Sequence, residues 1–308
     1  MRGEVGLVHS FAIQFLKRIR TSSRLFAARF FDFSFLFYKL TMSLLKFPYY
    51  FFADRRFFTF EYAKTIVDRT LNLEVTYNRK IESIDLRTLK SLLNGPAPKL
   101  DVLFESQYGN INFSEAVSIS YLIQALQPKV LFEIGTFDGF STYHLAMNSP
   151  DTAKVFTLNL PPDSSFEDYH KLYSLTEYRG DLLTHELGKS LGIGRMYRES
   201  PVAHKVTQLF GDSLEFNFSP YRKSVDLCFI DGGHSYLHMA SDTKNAMSIL
   251  TDMGVAIWHD YNIQHREIYR FLNELSETYR LFHLEGTRLV IFFGKAVPLS
   301  WPAPVSGS

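Results

Sequence analysis

Cysteine, excess charge and long apolar runs are scarce in this chain of 308 residues. Cys228 is its single cysteine, which excludes an internal disulfide and a structural zinc site built from several thiolates, so a reducing compartment such as the cytoplasm is expected. The formal net charge of +1 lacks the basic excess of most nucleic-acid-binding proteins, and we expect no nucleic-acid partner. No uncharged apolar run near the N-terminus reaches the roughly 18 to 20 residues that a membrane-spanning helix needs.

Phenylalanine and basic residues are concentrated at the N-terminus. Residues 1–60 contain 14 of the 29 phenylalanines, and ten Lys/Arg against three Asp/Glu give them a net charge of +7, which leaves −6 for the remainder. Apolar residues recur at helical spacing from Val8 to Ile19, whereas Lys17 and Arg18 occupy other directions, as in a basic amphipathic helix. Residues 1–75 are therefore interpreted as an extension for membrane-surface binding or self-association, and we expect a homo-oligomer with possible peripheral membrane attachment.

Two other interpretations of this extension stay open at this point. Its aromatic residues can instead pack onto the main domain or onto a second subunit. Residues 10–31 contain Arg and Ser but no acid, as transit peptides do, although Glu4 and the aromatic run to Phe60 disfavour this. A secretory signal is disfavoured because Lys17 and Arg18 interrupt any apolar core.

After a helical lead-in at 76–128, short apolar strands alternate with helical patterns. In the lead-in, helices are predicted at 86–94 and, with Ser114 as N-cap, at about 115–126. Strands are predicted at 129–134, 154–159, 205–210, 225–230 and 254–258, and helices from 140, at 236–250 and at 265–276. This alternation is typical of a parallel sheet covered on both faces, so a doubly wound, mostly parallel α/β sheet of seven strands is expected within residues 129–296.

Two segments depart from the alternation. Residues 280–285 and 288–293 are apolar and separated only by Gly286 and Thr287, which is too short for a crossover helix. They are predicted to form a C-terminal hairpin that adds one antiparallel strand, before a tail at 297–308. Residues 160–204 are polar and poorly periodic, and are interpreted as a loop that folds over a ligand or, alternatively, as a helical excursion without chemical role.

The first long strand runs into a glycine-containing turn, E-I-G-T-F-D-G-F-S-T at 133–142, and then into a helix. Gly135 and Gly139 let the backbone turn tightly beneath a ligand, and the helix N-terminus offers free N–H donors. A dinucleotide-binding loop has a glycine where this chain has Phe137. Because Glu133 would repel a pyrophosphate and suits an ammonium group, the turn favours a zwitterionic amino-acid ligand.

Two later strand ends carry acids and histidines. Strand 225–230 is followed by D-G-G-H-S-Y at 231–236, and strand 254–258 by H-D-Y at 259–261. In a doubly wound sheet both ends open onto the same crevice, so Asp231 and Asp260 can converge on one hard cation, with Mg²⁺ the natural choice, if their strands are neighbours. The alternative is structural, with the aspartates as helix caps and His234 stabilising its loop.

The E-I-G-T-F-x-G-x-S-T turn and these separated motifs resemble class I S-adenosylmethionine-dependent methyltransferases. They are similar to the branch with macrocin-type sugar O-methyltransferases and cephalosporin-hydroxylase-like proteins, over about residues 110–295. The resemblance implies S-adenosylmethionine as cofactor, with Asn159 where the family usually places an acid for the ribose hydroxyls and Asp212 where an acid meets the adenine. The implied cofactor-binding residues are Glu133, Gly135, Thr136, Gly139, Ser141, Asn159, Asp212, Ser213 and Asp231.

The resemblance also implies a catalytic centre. In metal-assisted relatives, acids after the fourth and fifth strands bind the metal, and a histidine three positions beyond the first acid is the base. The corresponding positions are Asp231, His259 and Asp260 for a divalent metal, expected to be Mg²⁺, and His234 with Asp231 for catalysis. Since His259 replaces a carboxylate and imidazole is a poorer Mg²⁺ ligand, a softer divalent metal is an alternative. Asp212 has the alternative role of a helix N-cap.

The leading hypothesis is therefore S-adenosylmethionine-dependent, divalent-metal-assisted O-methylation of a sugar or of a small natural-product-like molecule with a hydroxyl group. A catalytically silent cofactor-binding module that acts through its aromatic extension is the alternative, because Asn159 and His259 depart from the family pattern. A nicotinamide-dependent oxidoreductase is disfavoured by Glu133 and Phe137.

Overall fold

Eight strands form one sheet in the computed structural model, which describes residues 80–93, 95–99, 109–166, 175–262, 265–295 and 297. The strands are β1 (Glu82–Ile84), β2 (Val130–Ile134), β3 (Lys154–Asn159), β4 (Val206–Phe210), β5 (Val225–Ile230), β6 (Leu250–Trp258), β7 (Leu281–Leu284) and β8 (Val290–Phe293). They lie in the order β1-β7-β8-β6-β5-β2-β3-β4, with β8 antiparallel to both of its neighbours and every other pair parallel. The predicted doubly wound sheet with a C-terminal antiparallel hairpin is confirmed.

The eighth strand is one more than the sequence predicts. β1 has three residues and pairs in parallel with β7, with Ser83 opposite His283. Three residues are too few to show a period of two, and the partner strand lies about 200 positions further along the chain. The strand is therefore visible only once β7 is in place.

Helices cover the connections between the strands. They are α1 (Leu86–Leu93), α2 (Phe113–Leu126), α3 (Phe140–Asn148), α4 (Leu175–Leu191), α5 (Arg195–Arg198), α6 (Tyr236–Ile249) and α7 (Arg266–Leu275). The prediction of Ser114 as the cap of α2 is wrong, because the helix begins at Phe113 and Asn112 is its N-cap. The Asn112 side chain accepts from the Glu115 backbone N–H while the Glu115 carboxylate accepts from that of Asn112, a reciprocal capping box.

The polar segment predicted as a ligand-covering loop at 160–204 contains a 17-residue helix, α4. The loop interpretation is therefore wrong for residues 175–191, which are helical as in the alternative, although that alternative gave the helix no chemical role. The helix lacks apolar periodicity because some of its buried positions are polar. Glu177 and Asp181 are buried and contact histidines near the ends of β5 and β6. Polar residues therefore stand at positions where a helix packed on an apolar core would carry leucine or valine.

Both faces of the sheet are covered by apolar packing. In β5, Leu227 and Phe229 belong to one core cluster, and Cys228 and Ile230 to the cluster on the opposite face. Successive residues of a strand point to opposite faces, so a strand buried on both sides reads as a continuous apolar run. This burial is why VDLCFI, at 225–230, is recognisable as a central strand from its sequence.

Residues 1–79 lie outside the described residues, so the Phe-rich extension and its amphipathic helix stay predictions, as do the domain boundaries at 75, 128 and 296. The same holds for all of the tail except Val297. Among the described residues, no helix is long and apolar enough to cross a membrane.

Candidate active site

The glycine turn after β2 crosses directly over the end of β5. Gly135 has a φ of +101°, and a Cβ added to it would lie 1.9 Å from the backbone oxygen of Asp231. Gly139, with a φ of +88°, precedes α3, and its Cβ would lie 2.8 Å from the Tyr197 ring. Both glycines are required by close approach of other chain segments. The turn predicted to bind the cofactor therefore adjoins the strand end predicted to be catalytic.

Glu133 lies beneath this turn rather than facing outward from it. Its fully buried carboxyl group accepts hydrogen bonds from the hydroxyls of Ser141 at 2.6 Å, Thr157 at 2.6 Å and Thr142. Burial raises the pKa of Glu133 to about 7, although the three hydroxyls oppose the shift. Glu133 and Ser141 thus fasten the turn to α3 and β3, and their predicted contact with the cofactor stays a prediction.

Asn159 fastens the same turn from the end of β3. Its side-chain oxygen lies 3.1 Å from the backbone nitrogens of Thr136 and Phe137 and accepts from both, while its amide group donates to the Leu160 carbonyl oxygen. Gln208, which no sequence motif marks, donates to the Thr136 hydroxyl at 2.9 Å. The side-chain groups of Asn159 are thus engaged by the turn, and its predicted contact with ribose hydroxyls would need one of these bonds to be shared.

Asp212 and Ser213 follow β4, as predicted, at the next strand end. The Asp212 carboxylate accepts from the backbone nitrogen of Leu214 at 2.9 Å within a turn. The alternative of a helix N-cap is wrong, because no helix begins directly after Asp212 among the described residues. Nearby Asp242 on α6 is buried, and burial first, then the charge of Asp212, raises its pKa to about 7. A role of Asp212 or Ser213 toward a cofactor stays a prediction.

The acids and histidine that follow β5 and β6 converge as the sequence predicts. The two strands are parallel neighbours, with Ile230 opposite Trp258. The His259 Nδ1 atom lies 3.0 Å from Asp231 Oδ1 and 3.3 Å from Asp260 Oδ2. Asp260 has a φ of +60°, a conformation that costs an L-residue on the order of 1–3 kcal/mol and tends to occur at functional sites.

Two residues without a sequence motif complete this cluster from elements distant in the chain. Glu115, fully buried on α2, places Oε2 3.0 Å from His259 Nε2. Arg288, just before β8, donates from Nη1 to Asp260 Oδ1 at 2.6 Å and from Nε to Glu115 Oε1 at 3.2 Å. The Arg288 backbone nitrogen also donates to Glu115 Oε1, at 2.8 Å. The only sequence signal that could have marked Glu115 is its place three residues after the helix cap Asn112, in a capping box. No sequence signal marks Arg288.

Helix α4 contributes two further acids, one turn apart. Asp181 holds His234 twice, accepting from its backbone nitrogen at 2.9 Å and contacting its Nδ1 atom. The other ring nitrogen of His234, Nε2, lies 2.7 Å from Asp260 Oδ2. Glu177 lies 2.9 Å from His265 Nδ1, and the rings of His265 and His234 stack with centroids 4.7 Å apart. The i, i+4 spacing of Glu177 and Asp181 is the signal that could have marked them.

The charges of this cluster stabilise one another. Burial alone would lower the pKa of His234, but the carboxylates of Asp181 and Asp260 outweigh it and raise the pKa well above its usual value. The pKa of His259 is raised in the same way by Asp231 and Asp260. For Glu115, burial opposes ionisation, yet His259 and Arg288 hold its pKa well below the usual range. The neighbouring carboxylates thus favour the protonated form of both imidazoles, and His259 and Arg288 favour the ionised form of Glu115.

The predicted metal ligands come together, but not as free ligands. One ligand atom from each of Asp231, His259 and Asp260 lies within 4.8 Å of the others, and the same holds for His234, Asp260 and His265. Both oxygens of Asp260 face nitrogen atoms, Oδ1 facing Arg288 and Oδ2 facing His234 and His259. Magnesium prefers carboxylate oxygens with open lone pairs and water. With both oxygens of Asp260 engaged, the donor set as arranged here does not fit Mg²⁺. A divalent metal is not confirmed.

Residues 132–261 match the sequence model of a family described as a methyltransferase domain. This range begins in β2 and ends after the His259-Asp260 pair, so it contains the glycine turn and both strand ends predicted to be catalytic. The chain carries a methyltransferase domain. The predicted resemblance to methyltransferases, and with it the prediction of an enzyme, is confirmed over these residues.

Solved structures with a similar fold include three methyltransferases of low sequence identity. An O-methyltransferase of Streptomyces achromogenes involved in tomaymycin synthesis, in complex with SAM, has a TM-score of 0.43 and 15% identity, covering 73% of this chain and 96% of that chain. An O-methyltransferase of Bacillus cereus in complex with SAH has a TM-score of 0.39 and 15% identity, and the match covers 61% of this chain and 84% of that chain. An SAH-bound methyltransferase of Podospora anserina has a TM-score of 0.41 and 13% identity, and the match covers 78% of this chain and 96% of that chain. No curated protein matches this methyltransferase.

Proposed function

We propose that this methyltransferase transfers the methyl group of S-adenosylmethionine to a hydroxyl oxygen of a sugar or a small natural-product-like molecule. The observation that carries the proposal is the contact between the glycine turn and the catalytic strand end, where a Cβ on Gly135 would strike the backbone of Asp231. A cofactor held by the turn would supply its methyl group close to the carboxylate and imidazole cluster. Ligands of open α/β sheets bind at this edge, beyond the carboxyl ends of the strands.

The cofactor supplies a methyl group already activated by its positively charged sulfur, so the protein has to align the acceptor and remove one proton. The acceptor oxygen attacks the methyl carbon, the carbon–sulfur bond breaks with its electron pair returning to sulfur, and S-adenosylhomocysteine leaves. The hydroxyl proton passes to the enzyme. His234 is the proposed base, positioned by Asp181, and it accepts a proton only after losing the one that it shares with Asp260.

Asp231 is the acid best placed to contact an acceptor. Its side chain is 15% exposed, against 8% for Asp260 and none for Glu115. Within the described residues its Oδ1 atom is paired with His259, whereas its Oδ2 atom has no hydrogen-bond partner. We propose that Oδ2 of Asp231 receives the acceptor hydroxyl and orients it toward the cofactor. No step through a metal is included, because the oxygens of Asp260 are engaged by nitrogen donors.

The test is methyl transfer from labelled S-adenosylmethionine to a panel of hydroxylated acceptors, with calorimetric titration of S-adenosylhomocysteine and of NAD. We expect S-adenosylhomocysteine to bind, NAD not to bind, and His234→Ala and Asp231→Ala each to lower kcat by about 10²-fold or more. His204→Ala is the matched control, because its side chain is exposed and lies away from the cluster. If both active-site variants transfer methyl groups at the wild-type rate, the assignment of these residues is wrong.

We further propose a cytoplasmic location with peripheral membrane attachment or self-association through residues 1–75. The support is the single cysteine and the basic, Phe-rich composition of that segment.

A further inference from the structure

The side chain of Arg288 is fixed inside the acid cluster by the fold itself. It belongs to the C-terminal hairpin, and four of its nitrogens, the backbone N, Nε, Nη1 and Nη2, donate to carboxylates at 2.8, 3.2, 2.6 and 3.4 Å. The two acids that it joins, Glu115 and Asp260, come from α2 and from the end of β6, which are far apart in the chain. The guanidinium is therefore a permanent positive charge that no chelator removes.

Asp260 connects the Arg288 guanidinium to the histidines of the cluster. Its Oδ1 atom lies 2.6 Å from Arg288 Nη1 and 3.5 Å from His265 Nε2, and its Oδ2 atom lies 2.7 Å from His234 Nε2 and 3.3 Å from His259 Nδ1. Four nitrogen atoms thus surround one carboxylate. A dication bound at Asp260 would have to displace some of these nitrogens from its two oxygens, including the Arg288 guanidinium on Oδ1.

We propose that Arg288 supplies at this centre the positive charge that a divalent metal supplies in metal-assisted methyl transfer, so that the reaction of this protein needs no divalent metal. The inference rests on the proposed O-methyl transfer. Negative charge develops on the acceptor oxygen as its proton leaves, and a fixed cation at the cleft offsets it without reorganisation. The Arg288 side chain is 23% exposed, so it is not sealed in the core.

The first test measures binding of Mn²⁺ alone to the full chain, by its electron paramagnetic resonance signal. We expect wild type to bind Mn²⁺ at least tenfold more weakly than Arg288→Met, because removal of the guanidinium leaves the acids without their cation. Arg280→Met is the matched control: it removes an exposed arginine of the same hairpin, which pairs with Glu82 away from the cluster, and should behave as wild type. Equal Mn²⁺ affinity in wild type and Arg288→Met overturns the proposal.

The second test measures methyl transfer after exhaustive chelation. We expect wild-type kcat/KM to be unchanged by chelator, Arg288→Met to lose about 10²-fold, and Arg288→Lys to recover part of the loss because it keeps the charge but not the planar fork. The proposal is overturned if chelator abolishes methyl transfer by the wild type and added Mg²⁺ or Mn²⁺ restores it. This outcome is measured on the wild type alone, so it does not depend on the folding of any variant. If no acceptor is methylated under any condition, the proposed function fails, and the Mn²⁺ comparison still decides the role of Arg288.

Discussion

Gly135 lies where two loops cross, and the space around it is set by a residue 96 positions later in the chain. A side chain at this position would have to share space with the backbone oxygen of Asp231, 1.9 Å from an ideal Cβ. Gly286 offers a contrast, since its φ of +77° is also positive but nothing lies within 4 Å of its Cβ position. The two glycines therefore separate the cost of an unusual φ from the cost of a steric clash.

We predict that Gly135→Ala destabilises the protein more than Gly286→Ala does. The second change costs only the left-handed conformation, about 1–2 kcal/mol, whereas the first adds a clash that must move the turn or the end of β5, for a total above about 3 kcal/mol. Urea unfolding of both variants measures the difference. A similar free energy of unfolding for the two would show that the loops separate easily, and would weaken the link between the turn and the catalytic strand end.

At the scale of single residues, the sequence predicted which residue types belong to the site better than it predicted which atoms they contact. Glu133, Asn159 and Ser141 were correctly placed at the turn, but the structure shows them fastening it from below and from the side. A motif identifies the residue types that a turn needs, and it does not say which atom of each faces the ligand. Asp231 and Asp260 were predictable because both follow apolar strands, and parallel neighbouring strands end at one edge of the sheet.

Helix α4 is the element whose role the sequence concealed most. It presents Glu177 and Asp181 to His265 and His234, and the two stacked rings lie between the helix and the ends of β5 and β6. A carboxylate that holds one nitrogen of a histidine fixes the orientation of the ring and favours its protonated form. Asp181 is thus a positioning residue for the proposed base, supplied by the segment that connects β3 to β4.

We predict that Asp181→Asn moves the pH dependence of methyl transfer to lower pH and lowers kcat by about tenfold. Because Asp181 and Asp260 raise the pKa of His234, wild-type kcat/KM should increase as pH rises through that pKa and the free base appears. Loss of the Asp181 charge lowers the pKa, so the increase should begin at lower pH.

The measurements are kcat/KM across the neutral and alkaline range and NMR titration of the His234 ring. Glu186→Gln, on the same helix but exposed and paired with Lys189, is the control and should leave both unchanged. An unshifted profile in Asp181→Asn would mean that Asp181 only supports the fold.

At the scale of the whole molecule the near-neutral charge divides into two unlike parts. Residues 1–60 carry +7 and the remainder −6, and the cluster of acids and histidines belongs to the acidic part. A basic, aromatic segment has the composition that binds anionic lipid surfaces or associates with an acidic partner, including a second copy of this chain.

We predict that a variant beginning at residue 76 loses vesicle binding or self-association while retaining calorimetric binding of S-adenosylhomocysteine. Cosedimentation with anionic vesicles and analytical ultracentrifugation measure the two losses against the full chain. The vesicle component should weaken as salt is added, because screening reduces attraction between the basic segment and the lipid. Unchanged vesicle binding together with an unchanged oligomeric state would remove any such role from residues 1–75.

The sequence by itself determined the α/β class, the glycine turn, the two acidic strand ends and the closing hairpin, because each depends on residues within a few positions of one another. Only the tertiary structure decided what surrounds Asp260. Arg288, Glu115 and Asp181 reach the cluster from a hairpin and two helices, and the pairs that they form join residues 28, 144 and 53 positions apart. Such contacts leave no local periodicity to detect. At the strand ends where sequence motifs predicted a metal, the folded chain therefore places the guanidinium of Arg288, which no motif predicted.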